Sequence, residues 1–381
     1  VKILIIAPSN SVHTTRWIKR TLDSGIEVDL YDLASNDELN DDLKLSYHFK
    51  CSNEVIWFSK VPVFGQFLIL AREFFRLRKA IRFSKPDIIH CHWLFHSAPF
   101  FATYLAKGIP LIATPWGSDI QVPLKPLRGR LKKVLVNRIF IKRIARKSTN
   151  FCCDSNKLAD ILAGFGADRK KIKLIYFGTD VEAFSPKNRS ESLREKFGAA
   201  SATDVLIISN RSHEPIYDIP TLILAAKDLR PIHPTFKYVI AGSGSLTSKF
   251  KQMVADLSLE DIFYFTGRLD DSEFTSATAS CDIYVSTSTS DGGLAASTAE
   301  AMACEVPVIV TRFGENSLFV DGLSTGLLFE IGDVEDLKRC IISLGVSPNS
   351  RKEMGQEARR KIVTSNNSKV EWKKVLSLYG F

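Results

Sequence analysis

The chain has 381 residues, 45% of them hydrophobic and 24% charged, with a formal net charge of +9. This length suits two domains of about 150–200 residues each, and the composition is that of a water-soluble globular protein rather than a disordered or fibrous one. Seven cysteines without a spacing pattern argue against a disulfide framework or a zinc site and for a reducing, cytoplasmic compartment, and no apolar run reaches membrane-spanning length.

Residues 2–7 (KILIIA) are an apolar, β-prone run that enters a polar loop, 8–11. Residues 14–23 read as a helix, Gly25 ends it, and 27–31 form a second strand. Strand, helix, strand at this spacing is a βαβ unit, parallel and right-handed by default. The first loop lacks GxGxxG, so no bound dinucleotide is indicated there. It still lies at the carboxyl edge of a parallel sheet, the general place for ligands in open α/β sheets. Asn10, His13 and Arg16 are its candidates for touching a ligand, and Arg16 reads equally as a solvated side chain.

Two basic segments follow. Residues 60–82 mix Phe, Leu, Ile and Val with Arg and Lys; residues 125–147 are rich in Lys and Arg and hold no Asp or Glu. Apolar residues at helical spacing with cations between them fit a helix lying on an anionic membrane surface, the alternative being a solvated basic face over a core contact. No nucleic-acid-binding module is visible. Between these segments, 86–93 (PDIIHCHW) and 111–114 are further strands. Alternation puts His90 and His92 on one face, with His96 close behind. No acid or cysteine completes a metal site with them, so they are expected in the core or a cleft wall. The turn after the next strand, Pro115-Trp116-Gly117-Ser118-Asp119, offers Asp119 and Trp116 as candidate site residues, the alternative being an ordinary turn.

Residues 171–186 form a strand and a glycine turn, and the polar stretch 187–203 reads as a linker. A second α/β pattern then begins. The strand 204–209 ends at Asn210-Arg211, and Arg offers fixed, forked donors to two phosphate oxygens. The strand 238–241 ends in Gly242-Ser243-Gly244-Ser245-Leu246, and 262–265 runs into Thr266-Gly267-Arg268-Leu269. The densest signal is 286–311: a loop of Ser, Thr, Asp and Gly, a helix over 295–304, then a buried strand. A loop-to-helix junction of this kind presents free N–H groups and the positive end of a helix dipole, which suits a phosphate. Gly292 and Gly293, followed by Leu294, let a ligand approach the backbone. Glu300 sits in the helix beside Ala301, Met302 and Ala303, where a lone carboxylate needs a partner, and a ribose diol is a suitable one.

Glu300-Ala301-Met302-Ala303-Cys304, followed by Val306-Pro307-Val308-Ile309, resembles the signature helix of the retaining glycosyltransferases of family 4. The resemblance covers nearly the whole chain and is strongest from Arg211 to Phe329; Gly178, Asp180, Phe184 and Pro186 match the family's interdomain segment. It implies a GT-B fold, two Rossmann-like doubly wound α/β domains facing a central cleft. Residues 1–182, joined by a C-terminal helix over 368–381, would bind the acceptor, and 183–367 the nucleotide-sugar donor. It implies that Glu300 holds the donor ribose and that Asp291 reads sugar hydroxyls, one residue from the usual acid position, which is Gly292 here. Arg211 would grip the donor pyrophosphate, with Tyr217 where relatives carry a lysine. Ser297, Thr298 and loop amides would stabilise the leaving diphosphate, Gly242 and Gly244 would border the donor, and Arg268 and Leu269 would pack on the nucleobase. Trp116 stands where relatives often have His before Gly-Ser-Asp, which makes Asp119 a cleft residue and Trp116 a platform for a sugar face or a lipid-linked acceptor.

The reaction so implied is transfer of a hexose from a nucleotide diphosphate sugar, with retention and with neither metal nor other cofactor. The expected acceptor is a glycan or lipid-linked molecule in bacterial-type surface polysaccharide or glycolipid synthesis. The expected partners are the donor, that acceptor and an anionic membrane surface, but no nucleic acid; the expected place is the cytoplasm or the inner face of the cell membrane. The alternatives are a nucleotide-sugar epimerase of similar fold and a degenerate transferase acting as a partner protein, the latter suggested by Tyr217 and Gly292.

Overall fold

The structure, a computed structural model, describes residues 1–34, 45–51, 63–117, 119–120, 131–290 and 293–381. It contains two compact units, Val1–Tyr176 with Trp372–Phe381, and Phe177–Glu371.

The first unit runs β1 (Lys2–Ala7), α1 (Val12–Asp23), β2 (Glu27–Asp32), β3 (Tyr47–Lys50), α2 (Val63–Ser84), β4 (Ile88–His92), α3 (Ser97–Leu105), β5 (Leu111–Thr114), α4 (Leu131–Lys147), β6 (Asn150–Cys153), α5 (Asn156–Gly164) and β7 (Ile172–Leu174). Among the described residues its strands pair in parallel, in the order β3-β2-β1-β4-β5-β6-β7. The central strands are buried on both faces, which is why they read as continuous apolar runs and not as alternations.

The second unit runs α6 (Glu191–Lys196), β8 (Val205–Ser209), α7 (Ile219–Leu229), β9 (Phe236–Ala241), α8 (Thr247–Asp256), β10 (Phe263–Gly267), α9 (Asp271–Ser280), β11 (Ile283–Ser286), α10 (Ala296–Ala303), β12 (Val308–Thr311), α11 (Asn316–Phe319), β13 (Leu327–Phe329), α12 (Val334–Gly345) and α13 (Pro348–Ser365); α14 (Ser368–Tyr379) begins in this unit and ends in the first. Its parallel order is β10-β9-β8-β11-β12-β13. Both sheets are thus doubly wound about their first strand. The order reverses between β1 and β4, and again between β8 and β11, and a crevice at the carboxyl end of such a switch point is where open α/β sheets hold ligands.

The stretch expected to be a polar linker departs from that expectation. It contains α6, whose Arg194 is only 5% exposed. The guanidinium donates to an Asp282 carboxylate oxygen and to the Ser280 carbonyl, 2.8 Å each, so a long-range acid turns a polar segment into a docked helix. Farther on, α13 packs so closely on α10 that a Cβ at Gly355 would overlap the Glu305 carbonyl, which fixes the helix carrying Glu300.

The strand histidines are core groups. His90 is fully buried and satisfied at both nitrogens, by the Tyr379 hydroxyl and by Thr114 Oγ1, 2.7 Å each. Trp17 donates its indole N–H to the same Tyr379 oxygen at 2.9 Å, tying the chain's last residues to the first unit. Among the described residues no group of three or more His, Cys, Asp and Glu could hold a metal ion.

Burial lowers the pKa of His90, His92 and His96, in His92 to about 3. The unfolded chain protonates these rings as pH falls through about 6.5. It then binds more protons than the fold, and stability falls with pH at about 1.4 kcal/mol per unit per group. Buried Asp119 opposes this, because its folded carboxyl holds a proton up to about 6 against an ordinary value of 3.8. The histidines outnumber it, so the expected result is a net loss of stability between roughly pH 6.5 and 5. Denaturant titration across that range checks the sign, and a flat profile contradicts it.

Candidate active site

In the second unit the site is built from the loops that leave β8 and β11, the two strands at the switch point. Ser297 is the second residue of α10, and its Oγ accepts from Arg211 Nη1 at 2.9 Å. The Arg211 guanidinium lies over the Tyr217 ring, 4.4 Å from its centroid. A cation on an aromatic face gains about 0.5–1 kcal/mol at an accessible site, so Tyr217 supports Arg211 from below without supplying the charge of a lysine. Thr287 Oγ1 donates to the Tyr217 carbonyl at 2.7 Å, and the Thr289 amide to that of Ile216 at 2.8 Å, joining the two loops.

Beneath Ser297 lies a residue that sequence reasoning missed. The Tyr284 hydroxyl on β11 is 2.9 Å from Ser297 Oγ and accepts from Thr298 Oγ1 at 3.4 Å. Tyr284 is fully buried, and inside an apolar strand it reads as plain core. Arg211, Ser297, Tyr284 and Thr298 thus form one connected network. Glu300, one turn beyond Ser297 on the same helix, is 6% exposed. The residue before the helix, Ala295, has no side chain to accept from the first-turn amides, where Ser, Thr, Asp or Asn is usual.

Gly242 and Gly244 acquire a packing reason besides the expected ligand contact. A Cβ at Gly242, where φ is +115°, would stand 2.9 Å from the Arg211 carbonyl oxygen, and one at Gly244 2.6 Å from that of His213. Only glycine lets this turn lie on the loop that carries Arg211. His213, also missed from the sequence, is buried between them. Its Nδ1 meets Thr247 Oγ1 at 2.8 Å, and burial, then Lys251, lower its pKa while Glu214 works the other way. Arg268 and Leu269 follow the edge strand β10, the first exposed and the second half-buried. Gly293 is buried and Leu294 half-buried just before α10. Asp291 and Gly292 lie outside the described residues.

In the first unit, the switch-point loops carry an aromatic wall. Trp116 meets His13 edge-on at 5.8 Å, Trp93 at 5.9 Å and His92 at 6.1 Å between ring centroids. Asn10 is exposed on the neighbouring loop. Asp119, expected as a cleft acid, is instead fully buried, and its two oxygens accept from the Leu94 amide at 2.7 Å and the Trp116 amide at 2.9 Å. It clamps the loops after β4 and β5 and thereby sets Trp116. Burial raises its pKa to about 6, partly offset by the backbone donors.

Two family models divide most of the chain: Glycosyltransferase Family 4 over residues 11–183, and Glycosyl transferases group 1 over 190–361. The chain belongs to the group 1 glycosyltransferases of family 4. It is 28% identical over 221 residues to an uncharacterized glycosyltransferase of Methanocaldococcus jannaschii, 58% of this chain and 54% of that one. It is 26% identical over 302 residues to a D-inositol 3-phosphate glycosyltransferase of Pseudarthrobacter chlorophenolicus, 76% of this chain and 69% of that one. The chain therefore spans between about half and two-thirds of the length of these relatives. Among solved structures, Anabaena HepE in complex with UDP superposes with a TM-score of 0.79 at 17% identity, covering 100% of both chains. At that identity the likeness concerns the fold, which is GT-B.

Tyr284→Phe isolates the support under Ser297. Removing one hydroxyl from the network is expected to lower kcat/KM about ten-fold through a looser Arg211, at a stability cost of about 1 kcal/mol. Steady-state kinetics beside a denaturation curve checks both numbers; unchanged kinetics would show that the hydroxyl supports only the fold.

Proposed function

We propose that the enzyme transfers a hexose from a nucleoside diphosphate sugar to a hydroxyl of a glycan or lipid-linked acceptor, with retention at the anomeric carbon. The observation that carries this is the Arg211–Ser297–Tyr284 network at the switch point of the second sheet, beside the start of α10. As the bond from the anomeric carbon to the diphosphate oxygen breaks, negative charge grows on that oxygen. Arg211 and the first-turn amides of α10 are fixed in advance to meet it, which is the most effective form of charge stabilisation. Glu300, on the same helix, accepts hydrogen bonds from the donor ribose, and Asp291 takes the sugar hydroxyls. Ser297 and Thr298 border the diphosphate, Gly242, Gly244, Gly293 and Leu294 shape the donor's surroundings, and Arg268 and Leu269 face the base.

The charge of the leaving group is met in this scheme by the protein's own cation and dipoles, without a resident metal or cofactor. UDP is the first nucleotide to try, since HepE has been crystallised with UDP and with UDP-glucose. The first unit takes the acceptor. Trp116 offers a stacking face, set edge-on against the buried ring of His92. His13 and Asn10 flank them. An acceptor held in the cytoplasmic face of a membrane fits the cationic helices of this unit, and no helix of the described residues is long and apolar enough to cross a bilayer.

The test is product stereochemistry. Incubation with UDP-sugars and an acceptor panel, followed by NMR of the new anomeric proton, should show the donor's configuration retained. An inverted product contradicts the proposal, and a free epimerised sugar nucleotide replaces it with an epimerase. A partner-protein role is suggested by Tyr217, on which Arg211 stacks at the position where the family resemblance implies a lysine; donor binding without turnover over the whole panel would establish that role.

A further inference from the structure

We propose that the outward face of α2, continued over α3 and α4, docks the protein on an anionic lipid surface. The inward face of α2 is ordinary: Ile69, Glu73, Leu77, Ala80, Ile81 and Ser84 are buried. The outward face is not. Phe67, Leu68, Phe75 and Phe83 are 67, 58, 61 and 54% exposed, and Arg72, Arg78, Lys79 and Arg82 are exposed among them. At 3.6 residues per turn, these eight side chains share one arc of about 160°. The one acid of the helix, Glu73, is buried and accepts the Tyr31 hydroxyl at 2.8 Å, so α2 itself brings no carboxylate to this face.

The pattern continues on the same side of the sheet, where α2 packs on α3 and α3 on α4. Neither α3 nor α4 contains an acid. Tyr104 is exposed with the Arg143 guanidinium 3.3 Å above its ring, and Ile139 is exposed beside Arg138 and Lys142. Single exposed apolar residues are unremarkable, but several on one face, interleaved with cations alone, form a patch that calls for a partner.

Charge complementarity selects that partner. A nucleic-acid backbone would pair with the cations and leave the phenylalanines in water. An anionic bilayer satisfies both sets, with lipid phosphates on Arg and Lys and the Phe and Leu side chains just below the headgroups. The helix would lie in the interface, the first unit against the lipid.

Co-sedimentation of the full chain with vesicles of phosphatidylcholine, or of phosphatidylcholine with phosphatidylglycerol, tests this. Binding is expected to the anionic vesicles and to weaken with salt. Each cation contributes about five-fold near a charged surface, so the triple variant R72Q, R78Q and K79Q should lose about a hundred-fold in affinity. The triple variant F67S, L68S and F75S should lose about ten-fold or more and release what remains at high salt. All six side chains are exposed, so the thermal midpoint should not move. Equal binding to both vesicle types, unaltered binding by both variants, or preference for an oligonucleotide over anionic vesicles would overturn the proposal. The assay reads adsorption and not sugar transfer, so its failure leaves the catalytic proposal standing.

Discussion

Arg211→Ala is expected to lower kcat/KM for the donor about a hundred- to a thousand-fold, the range found when a fixed donor to a developing oxyanion is removed. Arg211 is the charged member of the network at the head of α10, hydrogen-bonded to Ser297 and stacked on Tyr217. Its loss should fall mainly on kcat, because the charge it meets grows as the diphosphate departs. Arg211→Lys keeps the charge but loses the fork and the stacking plane, and should recover only part of the rate. The ring beneath provides an internal control. Tyr217→Phe preserves the face and should stay within about three-fold of wild type, whereas Tyr217→Ala removes it and should cost about five-fold, since the stacking is worth about 1 kcal/mol. Equal damage from both would assign the effect to the phenol hydroxyl.

The second large effect concerns stability. Asp282→Ala should destabilise the protein by about 3–5 kcal/mol. Asp282 accepts from Arg194 Nη1 and from the Leu206 amide at 2.8 Å each, and Arg189 approaches its other oxygen at 3.4 Å. The Arg194 and Asp282 side chains are 6 and 12% exposed, so removing the acid leaves a buried cation and an unpaired strand amide. Replacing both partners, as in Arg194→Met with Asp282→Leu, should cost much less than the single change, because no charge is then stranded. Denaturant titration reads this as a lower midpoint at constant slope. A loss below about 1 kcal/mol for Asp282→Ala would mean that water reaches the pair freely.

The elements that hold the site were visible in the sequence where local pattern decides them. The apolar runs at β1, β8 and β12 read as buried parallel strands because both faces are covered. The loop before Ala296 and the acid at Glu300 marked α10, since a carboxylate among alanines and a methionine breaks the pattern of a core helix. What escaped depends on residues far apart in the chain. Arg194 and Asp282 lie 88 positions apart, and neither predicts the other. Tyr284 sits in a strand where a hydroxyl is indistinguishable from an apolar neighbour. Asp119 follows a strand as a cleft acid would, and only the path of the loop turns its oxygens onto backbone amides. The histidine pair was legible as core because no acid accompanied it, but its link to Tyr379 required the folded chain.

The central claim is that the second unit binds a nucleoside diphosphate through Arg211. Thermal unfolding with UDP, GDP, ADP, CMP and uridine, on wild type and on Arg211→Ala, tests it most directly. A ligand of the native state at a hundred times its Kd adds about 2.7 kcal/mol. One nucleoside diphosphate should raise the wild-type midpoint clearly, uridine should not, and Arg211→Ala should lose most of the shift. No response to any diphosphate, or an undiminished shift in Arg211→Ala, would contradict the account.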